Sequence, residues 1–318
     1  MQIDSFQEHF QSIEDPRQTA KVQHPLFDVL FGTLCAVISG AKGWQEIREY
    51  VFGHHEWFVG HDLFKAGVPV DDTFARVISR IKPAQFRESF LVWMKAVHDL
   101  THGNVVAIDG KTLRGSYNRD NRNSTIHMIS AYATANKLVL GQLKTDNKSN
   151  EITAIPELVK MLDLRGALVT IDAMACQTKI AQAIIKQGGD YLLAVKGNQG
   201  SLAKAVQAAF SEQRKRSPEQ QALQTETGRG RIESRVSYVL SADKLAGDFS
   251  HWSNLKTIAM VESYRTEKGK PTRLVYRYYI SSKALTAEQV TVAVREHWAI
   301  ESMHWVLDGV PQAHKIAA

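Results

Sequence analysis

The sequence predicts an α/β protein in which a mixed sheet carries helices on its faces and follows a small helical domain. Three observations support this fold class. Residues from about 5 to 100 repeat apolar side chains at helical spacing, with almost no strand signal. After Gly103, short apolar or alternating runs that are typical of strands are interspersed with helical segments. Between about 215 and 282 the strand pattern returns, which predicts a β-rich insertion.

The helical segment predicts a first domain over residues 1–100. Its apolar stripes are Leu26, Leu30, Leu34 and Val37 in one helix and Phe86, Phe90, Trp93 and Val97 in another. Within it, "VPVDDTFARVISRIKPAQFRESF" predicts two helices separated at Lys82 and Pro83, a layout compatible with a DNA-reading helix-turn-helix. A helical bundle with proline-marked turns gives the same pattern, so both interpretations stay open.

Residues 101–318 predict the sheet-containing domain. The runs "NVVAID", "STIHMISAYAT" and "KLVLGQLKT" predict three consecutive strands, of which the last two form a hairpin. Helix and strand patterns then alternate from "NEITAIPELVKMLDL" to "QGSLAKAVQAAFSEQRKR". The resulting order β-β-β-α-β-α-β-α is typical of a mixed sheet with helices on its faces.

A last helix is predicted to begin at Thr286, because Thr286 and Gln289 have capping-box spacing, and to run to about Leu307. Helical spacing places Glu301 on the same face as Trp298. A glutamate on a tryptophan-rich face needs a physical reason, because an unpaired charge is costly to bury.

Composition narrows the class of partner and the compartment. The chain has 318 residues, 39 Lys and Arg against 33 Asp and Glu, a formal charge of +6 and a pI near 9.2, which favours a polyanionic partner such as nucleic acid. Two distant cysteines, Cys35 and Cys176, and an N-terminus without signal-peptide order predict a reduced, cytoplasmic location. The longest apolar run, residues 26–40, contains Asp28 and is too short to span a bilayer, so no membrane role is expected.

Three carboxylates give the strongest indication of chemistry. Asp109 and Asp172 each follow an apolar strand directly, and ligands bind at this edge of sheets that are covered by helices. Together with Glu301 they form a suitable set of oxygen ligands for Mg²⁺, an ion that assists phosphoryl transfer. Strand-end aspartates are often turn caps, and Glu301 could pair with Arg295 or His304, so a structural role stays open for each residue alone.

Basic residues near these carboxylates predict contacts to a phosphate backbone. "IDGKTLRGS" supplies Lys111 and Arg114, and "LAVKGNQG" places Lys196 before a helix N-terminus, where free N–H groups attract phosphate. The basic residues of the β-rich segment include Arg229, Arg231 and Arg235. Solvated basic loops would carry the same charges, so that alternative stays open. The signatures of P-loops, serine-hydrolase elbows and dinucleotide-binding folds are missing from the sequence, which leaves phosphoryl chemistry on nucleic acid.

Five blocks, "AIDGKTLRGS", "TIDAMACQ", "YLLAVKGNQ", "GRGRIESR" and "HWAIESMHWVLD", follow the segments "EDPR" and "HPLFDVLFGTLCAVISGAKGWQEIREY" in the order of a known family. The sequence resembles the DDE transposases of bacterial insertion sequences, and among them the H-repeat-associated proteins found beside Rhs elements. The resemblance covers nearly the whole chain. It implies an RNase H-like fold in which Asp109, Asp172 and Glu301 hold Mg²⁺ or Mn²⁺.

The resemblance also implies a reaction and its partners. A metal-activated water would hydrolyse the transposon end, and the freed 3′-hydroxyl would then attack target DNA. The expected partners are double-stranded DNA, both as terminal repeats and as target, and a second copy of the chain in a homodimer on the DNA. The expected location is the cytoplasm, in association with the nucleoid.

Some positions depart from the family pattern. Ala175 stands where relatives usually have glycine, Ser302 where they usually have asparagine, and His297 where wider DDE relatives have arginine. Relatives continue well past "HWVLD", whereas this chain reads "GVPQAHKIAA", so we expect a C-terminus shortened by truncation or frameshift and an activity that is lost or impaired. The alternatives are a non-catalytic DNA-binding protein that occupies repeat ends or poisons a full-length partner, and a metal-dependent nuclease that cuts without joining.

Overall fold

The computed structural model describes residues 3–18, 20, 22–99, 105–113, 126–135, 137–145, 151–214, 221–228 and 231–308. The chain divides into two compact units, one holding the residues up to Val97 together with those from Val306 onward, and the other holding His98–Trp305. Among the described residues, no helix is long and apolar enough to cross a membrane. The predicted division into domains at residue 100 stays a prediction about independent folding.

The described part of the first unit is helical. Its helices are α1 Ile3–Phe10, α2 Leu26–Ile38, α3 Trp44–Gly53, α4 His55–Val59, α5 Asp71–Ile78 and α6 Pro83–Asp99. Phe6 lies at the centre of an aromatic core, with its ring centroid 5.3 Å from those of both Phe31 and Trp93. In α2, Leu30 is buried but Val37 is 50% exposed, so the predicted apolar stripe is buried only in its first half. The two helices predicted around Lys82 are present as α5 and α6, and a role in DNA reading stays a prediction.

The second unit is centred on one mixed sheet. Its strands are β1 Val105–Leu113, β2 Ile126–Ala133, β3 Leu138–Thr145, β4 Leu168–Ile171, β5 Asp190–Val195, β6 Gln221–Gly228, β7 Arg231–Ser241, β8 Thr257–Glu267 and β9 Arg273–Ser281. The spatial order is β3-β2-β1-β4-β5-β9-β8-β7-β6. β1, β4 and β5 are parallel neighbours, and the other neighbours are antiparallel. The strands predicted up to β5 and the hairpin β2–β3 are therefore confirmed.

The β-rich segment predicted at about 215–282 extends this sheet instead of standing apart from it. β9 pairs with β5 in antiparallel orientation, with Leu192 opposite Ser281, and β8, β7 and β6 follow in turn. The outermost strand, β6, lies within this predicted segment, although its own residues were not predicted as a separate strand. Its sequence "QALQTETG" is mostly polar and lies at the edge of the sheet, where one flank needs no partner strand.

Helices cover both faces of the sheet. On one face lie α7 Glu151–Lys160, α8 Thr178–Lys186 and α9 Gly200–Arg214, whose apolar residues pack on alternate strand positions such as Val106 and Ile108. On the other face lie α10 Ala287–His297 and α11 Ala299–Asp308, which pack on the intervening positions Val105 and Ala107. This arrangement follows from strand alternation, which sends neighbouring side chains to opposite faces.

The single long helix predicted from Thr286 to about Leu307 is wrong, because it is interrupted at Trp298. The capping box of Thr286 and Gln289 is confirmed at the start of α10. At Trp298 the backbone N–H donates to the carbonyl of Arg295 and the Trp298 carbonyl accepts from Glu301, so tighter i to i+3 hydrogen bonds replace the α-helical ones. α11 therefore begins after the break and has Glu301 in its first turn.

Candidate active site

Asp109 and Asp172 lie side by side because of the register between β1 and β4. These strands pair in parallel, and their last pair is Ile108 opposite Ile171. Asp109 and Asp172 are the residues that directly follow this pair in the sequence. Asp172 follows the end of β4 as predicted, but Asp109 does not end its strand, since β1 continues to Leu113 through antiparallel pairing with β2. β1 has partner strands on both sides, so it continues along β2 after its pairing with β4 has ended.

Both aspartates point to the face of the sheet that α10 and α11 cover. Val105 and Ala107 pack on that face, and alternation places Asp109 there as well; Asp172 shares it through the register. His304 on α11 confirms the orientation, because its Nδ1 lies 3.7 Å from Oδ2 of Asp109. Glu301, one turn earlier on α11, is exposed. Trp298, which was predicted on the same helix face, is also partly exposed, at 39%, and contacts Arg277.

The carboxylates act on one another electrostatically. Burial, followed by the negative charge of Asp172, raises the pKa of Asp109 from 3.8 to about 7. The charges of Glu151 and Glu301 raise this pKa further, and the backbone hydrogen bond from Gly110 opposes them. A carboxyl group with such a pKa carries a proton for part of the time near neutral pH. A divalent cation would favour its ionised form.

The loop after Asp172 is held by side chains from the segment that follows β5. Asn198 donates from Nδ2 to the carbonyl of Ala173 at 2.7 Å, and Gln199 donates from Nε2 to the carbonyl of Cys176 at 2.9 Å. Within the loop, the N–H of Ala175 donates to Oδ1 of Asp172 at 3.4 Å. The "KGNQ" segment was predicted as a phosphate-binding turn. Phosphate binding by this segment stays a prediction. Its amide side chains fix the loop that carries Asp172, a role that sequence reasoning missed because the partners are backbone carbonyls.

A second anchor lies just before Glu301. Nδ1 of His297 and Oγ1 of Thr170 share a hydrogen bond of 3.0 Å, which ties the end of α10 to β4 two residues before Asp172. Burial lowers the pKa of His297, which favours its neutral form. His297 is the residue that departs from the arginine of wider relatives, and here it connects the strand of one predicted ligand with the helix turn of another.

The predicted DNA-binding residues have different environments. Lys196 is exposed after β5 and Lys111 lies half-buried in β1, whereas Arg114 and Arg229 lie outside the described residues. Arg231 pairs with Glu233 at 2.8 Å. Arg235, whose side chain is only 16% exposed, pairs with Glu233 at 2.6 Å and Glu226 at 3.5 Å. Arg235 is thus held among carboxylates of its own sheet.

The carboxylate oxygens of the predicted ligands suit a hard cation, although the three side chains do not converge on one point. Asp109, Asp172 and Glu301 supply carboxylate oxygens, the ligands that Mg²⁺ and Mn²⁺ prefer. The raised pKa of Asp109 indicates buried negative charge that a cation would offset. In the described part of the chain, no group of three or more His, Cys, Asp or Glu side chains is arranged to hold a metal ion. Glu301, which is exposed, would have to move towards the aspartates to complete the set.

Comparison with known proteins identifies the family of this chain. The family described as Transposase DDE domain matches residues 101–310, and the DDE_Tnp_1-associated family matches residues 7–94. The chain therefore belongs to the DDE transposase family.

Relatives define the type within the family. "H repeat-associated putative transposase YhhI" of Escherichia coli K12 is 47% identical over 316 residues, which cover 98% of this chain and 84% of the relative. "H repeat-associated putative transposase YbfD" of the same strain is 47% identical over 251 residues, 79% of this chain and 99% of the relative. A third relative, "Uncharacterized protein in dhlA 3'region" of Xanthobacter autotrophicus, is 39% identical over 265 residues, 82% of this chain and 89% of the relative. These findings confirm the resemblance to the H-repeat-associated transposases.

Proposed function

We propose that the chain cuts DNA at the ends of an insertion sequence and joins the freed 3′ end to target DNA, in a reaction that depends on Mg²⁺ or Mn²⁺. The observation that carries this proposal is the parallel register of β1 and β4, which brings Asp109 and Asp172 together. Glu301 is the third proposed ligand, and its charge is the last of the causes that raise the pKa of Asp109.

An RNase H-like fold is part of the proposal. The first five strands have the order β3-β2-β1-β4-β5, with an antiparallel part from β3 to β1 and a parallel part from β1 to β5. α7, α8 and α9 cover one face and α10 and α11 the other. The carboxylates lie beyond the carboxyl ends of β4 and of the part of β1 that pairs with it, where ligands bind in sheets of this kind.

In this proposal Asp109 and Asp172 hold the cation from the sheet, and Glu301 holds it from α11. Bound there, the ion would activate the attacking oxygen and stabilise the leaving oxygen of a DNA phosphodiester. The contribution of the chain is to place the ligands. Asn198 fixes the loop after Asp172, and His297 fixes the helix turn before Glu301. Ion binding would favour the ionised form of Asp109, which carries a proton for part of the time near neutral pH.

Basic side chains would bind the DNA backbone around the carboxylates. The formal charge of +6 supports a polyanionic partner. The proposed backbone contacts are Lys111, Arg114, Lys196, Arg229, Arg231 and Arg235. Helices α5 and α6 would read the terminal repeats, and two copies of the chain would act together on the DNA.

A strand-transfer assay tests the proposed reaction. The purified chain is incubated with Mn²⁺, a labelled duplex that ends in the repeats flanking its gene, and a supercoiled target plasmid. New 3′ ends and labelled plasmid with the unaltered chain, and neither product with D109N or E301Q, would support the proposed reaction and overturn the expectation from the sequence that activity is lost or impaired. Bound duplex without any cut would favour the non-catalytic DNA-binding protein. Labelled 3′ ends that never enter the plasmid would favour the nuclease.

A further inference from the structure

β6 to β9 form the outer half of the sheet, and one face of this half carries an excess of arginine. Strand alternation and register place the odd-numbered residues of β7, β8 and β9 on the face that α10 covers. The hydrogen bond from Arg295 of α10 to Glu226 of β6 lies on the same side. The strand arginines of this face are Arg231, Arg235, Arg265, Arg273 and Arg277.

The carboxylates of this face balance some of these arginines and leave two without an acidic partner. Glu226, Glu233 and Glu267 are the acidic residues that β6, β7 and β8 place there, and each already pairs with a basic side chain. Arg273 and Arg277 form no ion pair with any residue that the structure describes. Positive charge therefore remains uncompensated on β9.

Arg273 lies where its charge opposes strand pairing. Its side chain is exposed, and across the β8–β9 ladder it is directly opposite Arg265. Like charges at directly opposite positions of an antiparallel pair destabilise it. The ion pair between Arg265 and Glu267 offsets part of this repulsion, but it adds no partner for Arg273. A charge that strand pairing does not require, on a face with excess positive charge, indicates a negatively charged partner outside the chain.

Arg277 connects this charged face with the candidate active site. Its guanidinium carbon lies 5.7 Å from the centroid of the Trp298 ring, and its Nη1 donates to Oγ of Ser263 at 3.4 Å. Trp298 lies at the break between α10 and α11, three residues before Glu301. Arg277 and Arg273 are four residues apart on β9, a distance of about 13 Å along an extended strand. The two arginines thus form a line that begins beside the turn leading to Glu301.

We propose that Arg273 and Arg277 bind the phosphate backbone of the DNA at two separate points beside the cut, along β9. The inference rests on the proposed reaction and assigns the surface that holds its DNA. A guanidinium group binds a phosphate through two parallel hydrogen bonds. Two such groups about 13 Å apart fit an extended polyanion better than a single small anion. The competing interpretation is that both arginines are solvated charges on the outer part of the sheet, without a ligand.

Fluorescence anisotropy of the full chain with a labelled duplex that ends in the repeats flanking its gene tests this surface. We expect R273Q to weaken binding about fivefold and to reduce the salt dependence by about one unit of slope, as for the loss of one phosphate contact. R165Q is the matched control, because it removes the same charge from an exposed arginine that pairs with Asp163 ahead of β4. We expect its affinity to stay within about 1.5-fold of the unaltered chain, since salt screens distant charges.

Urea unfolding shows whether R273Q affects the fold. We expect this variant to be at least as stable as the unaltered chain, because it removes the charge opposite Arg265. Weaker DNA binding by a protein of undiminished stability is the result that a role in folding alone would not produce.

Duplexes with a single methylphosphonate, which neutralises one phosphate, locate the contacts on the DNA. At one position we expect the neutral group to weaken binding by the unaltered chain and by R165Q, but not by R273Q. R277Q should abolish the effect at a different position, because side chains about 13 Å apart do not reach the same phosphate. The same position for both variants would overturn the proposed line of contacts along β9.

The outcomes separate this inference from the proposed function. If R273Q and R165Q bind the duplex alike and no methylphosphonate effect depends on Arg273, this arginine is a solvated charge and the inference is overturned, while the proposed reaction stands. If the unaltered chain does not bind the duplex, the proposed function and the inference both fail. If R273Q does not fold, unchanged affinity and an unchanged methylphosphonate profile in R277Q overturn the inference.

Discussion

Two regions of the sheet hold clusters of carboxylates, and the carboxylate pKa values of the two clusters are shifted in opposite directions. At the edge where β1 and β4 meet, burial and the charges of Asp172, Glu151 and Glu301 raise the pKa of Asp109 to about 7. At the β6–β7 hairpin, the hydrogen bond from Arg295 and the charge of Arg235 lower the pKa of Glu226.

The difference separates a carboxylate cluster suited to a ligand from one that stabilises the fold. Glu226 accepts a hydrogen bond from Arg295 at 2.8 Å, so the charge of the hairpin is balanced within the protein. At Asp109 burial is the largest cause of the raised pKa, and the charges of neighbouring carboxylates add to it. A site that accumulates negative charge in this way gains most from an external cation, which is why the first cluster is the candidate active site.

The largest expected difference between the two clusters is catalytic. D172N should lower the rate of DNA cleavage by about 10³-fold or more, because the several kcal/mol of transition-state stabilisation from a bound metal ion correspond to that factor. E226Q, which neutralises a carboxylate of the hairpin, should leave the rate within about threefold. Initial rates of 3′-end formation with Mn²⁺ give both values. Equal losses in the two variants would contradict the distinction.

The clusters should also differ in how pH affects stability. The pKa of Asp109 is raised in the folded state, so folding takes up a proton between pH 3.8 and about 7, and the metal-free protein loses stability at this site as the pH rises through that window. The loss is at most about 4 kcal/mol, from three pKa steps of about 1.4 kcal/mol.

Urea unfolding from pH 4 to 8 with a chelator measures this effect. The unfolding free energy of D109N should lack the Asp109 contribution, so its difference from the unaltered chain should change across the window and level off above about pH 7. Parallel pH profiles for the two proteins would contradict the assignment.

A smaller stability effect is expected at Gly110. G110A should lower the free energy of unfolding by about 1–2 kcal/mol, because the new methyl group has to displace the buried carboxylate of Glu151. In the E151A background, G110A should cost little stability, because no carboxylate remains to be displaced. The cost of G110A in the two backgrounds should therefore differ by a coupling energy of about 1 kcal/mol. G200A is the control, since a Cβ on Gly200 meets nothing within 4 Å. Additive effects in the cycle would contradict the contact.

The smallest expected effects concern DNA affinity. K196M should weaken DNA binding about threefold and reduce the salt dependence by about one unit of slope, as expected for the loss of one phosphate contact. R235M should change the salt slope less, because Arg235 already pairs with Glu233 and Glu226, and should cost about 1 kcal/mol of stability instead. Fluorescence anisotropy at several salt concentrations and urea unfolding measure these two quantities. Equal salt slopes for the two variants would contradict the ranking.

Local patterns in the sequence were sufficient to predict the strands that carry the aspartates. "NVVAID" and "GALVTID" are apolar runs that end in aspartate, and the β-β-β-α-β-α-β-α order implies a sheet in which they can be neighbours. The capping box at Thr286 was equally readable, because it depends on residues three positions apart. These features are local, and local patterns survive folding largely unchanged.

The features that were missed depend on contacts between distant segments. Glu151 gains significance only because the register of β1 places Gly110 beneath it. The break at Trp298 is not marked by a proline or a glycine in the sequence. The hydrogen bond by which Asn198 anchors the Asp172 loop joins residues 25 positions apart. The pairing of β9 with β5, which merges the β-rich segment with the main sheet, likewise depends on tertiary contacts that hydrophobic patterning does not encode.

We propose that Asp109, Asp172 and Glu301 bind one divalent cation together. Fe²⁺ substituted for Mg²⁺, with ascorbate and peroxide, produces hydroxyl radicals that cut the polypeptide near the bound ion, and mass spectrometry locates the cuts. We predict cuts in three segments, near residues 109, 172 and 301, that disappear with excess Mg²⁺ and in D109N. Cuts confined to other parts of the chain, or cuts near these residues that persist in D109N, would contradict the account.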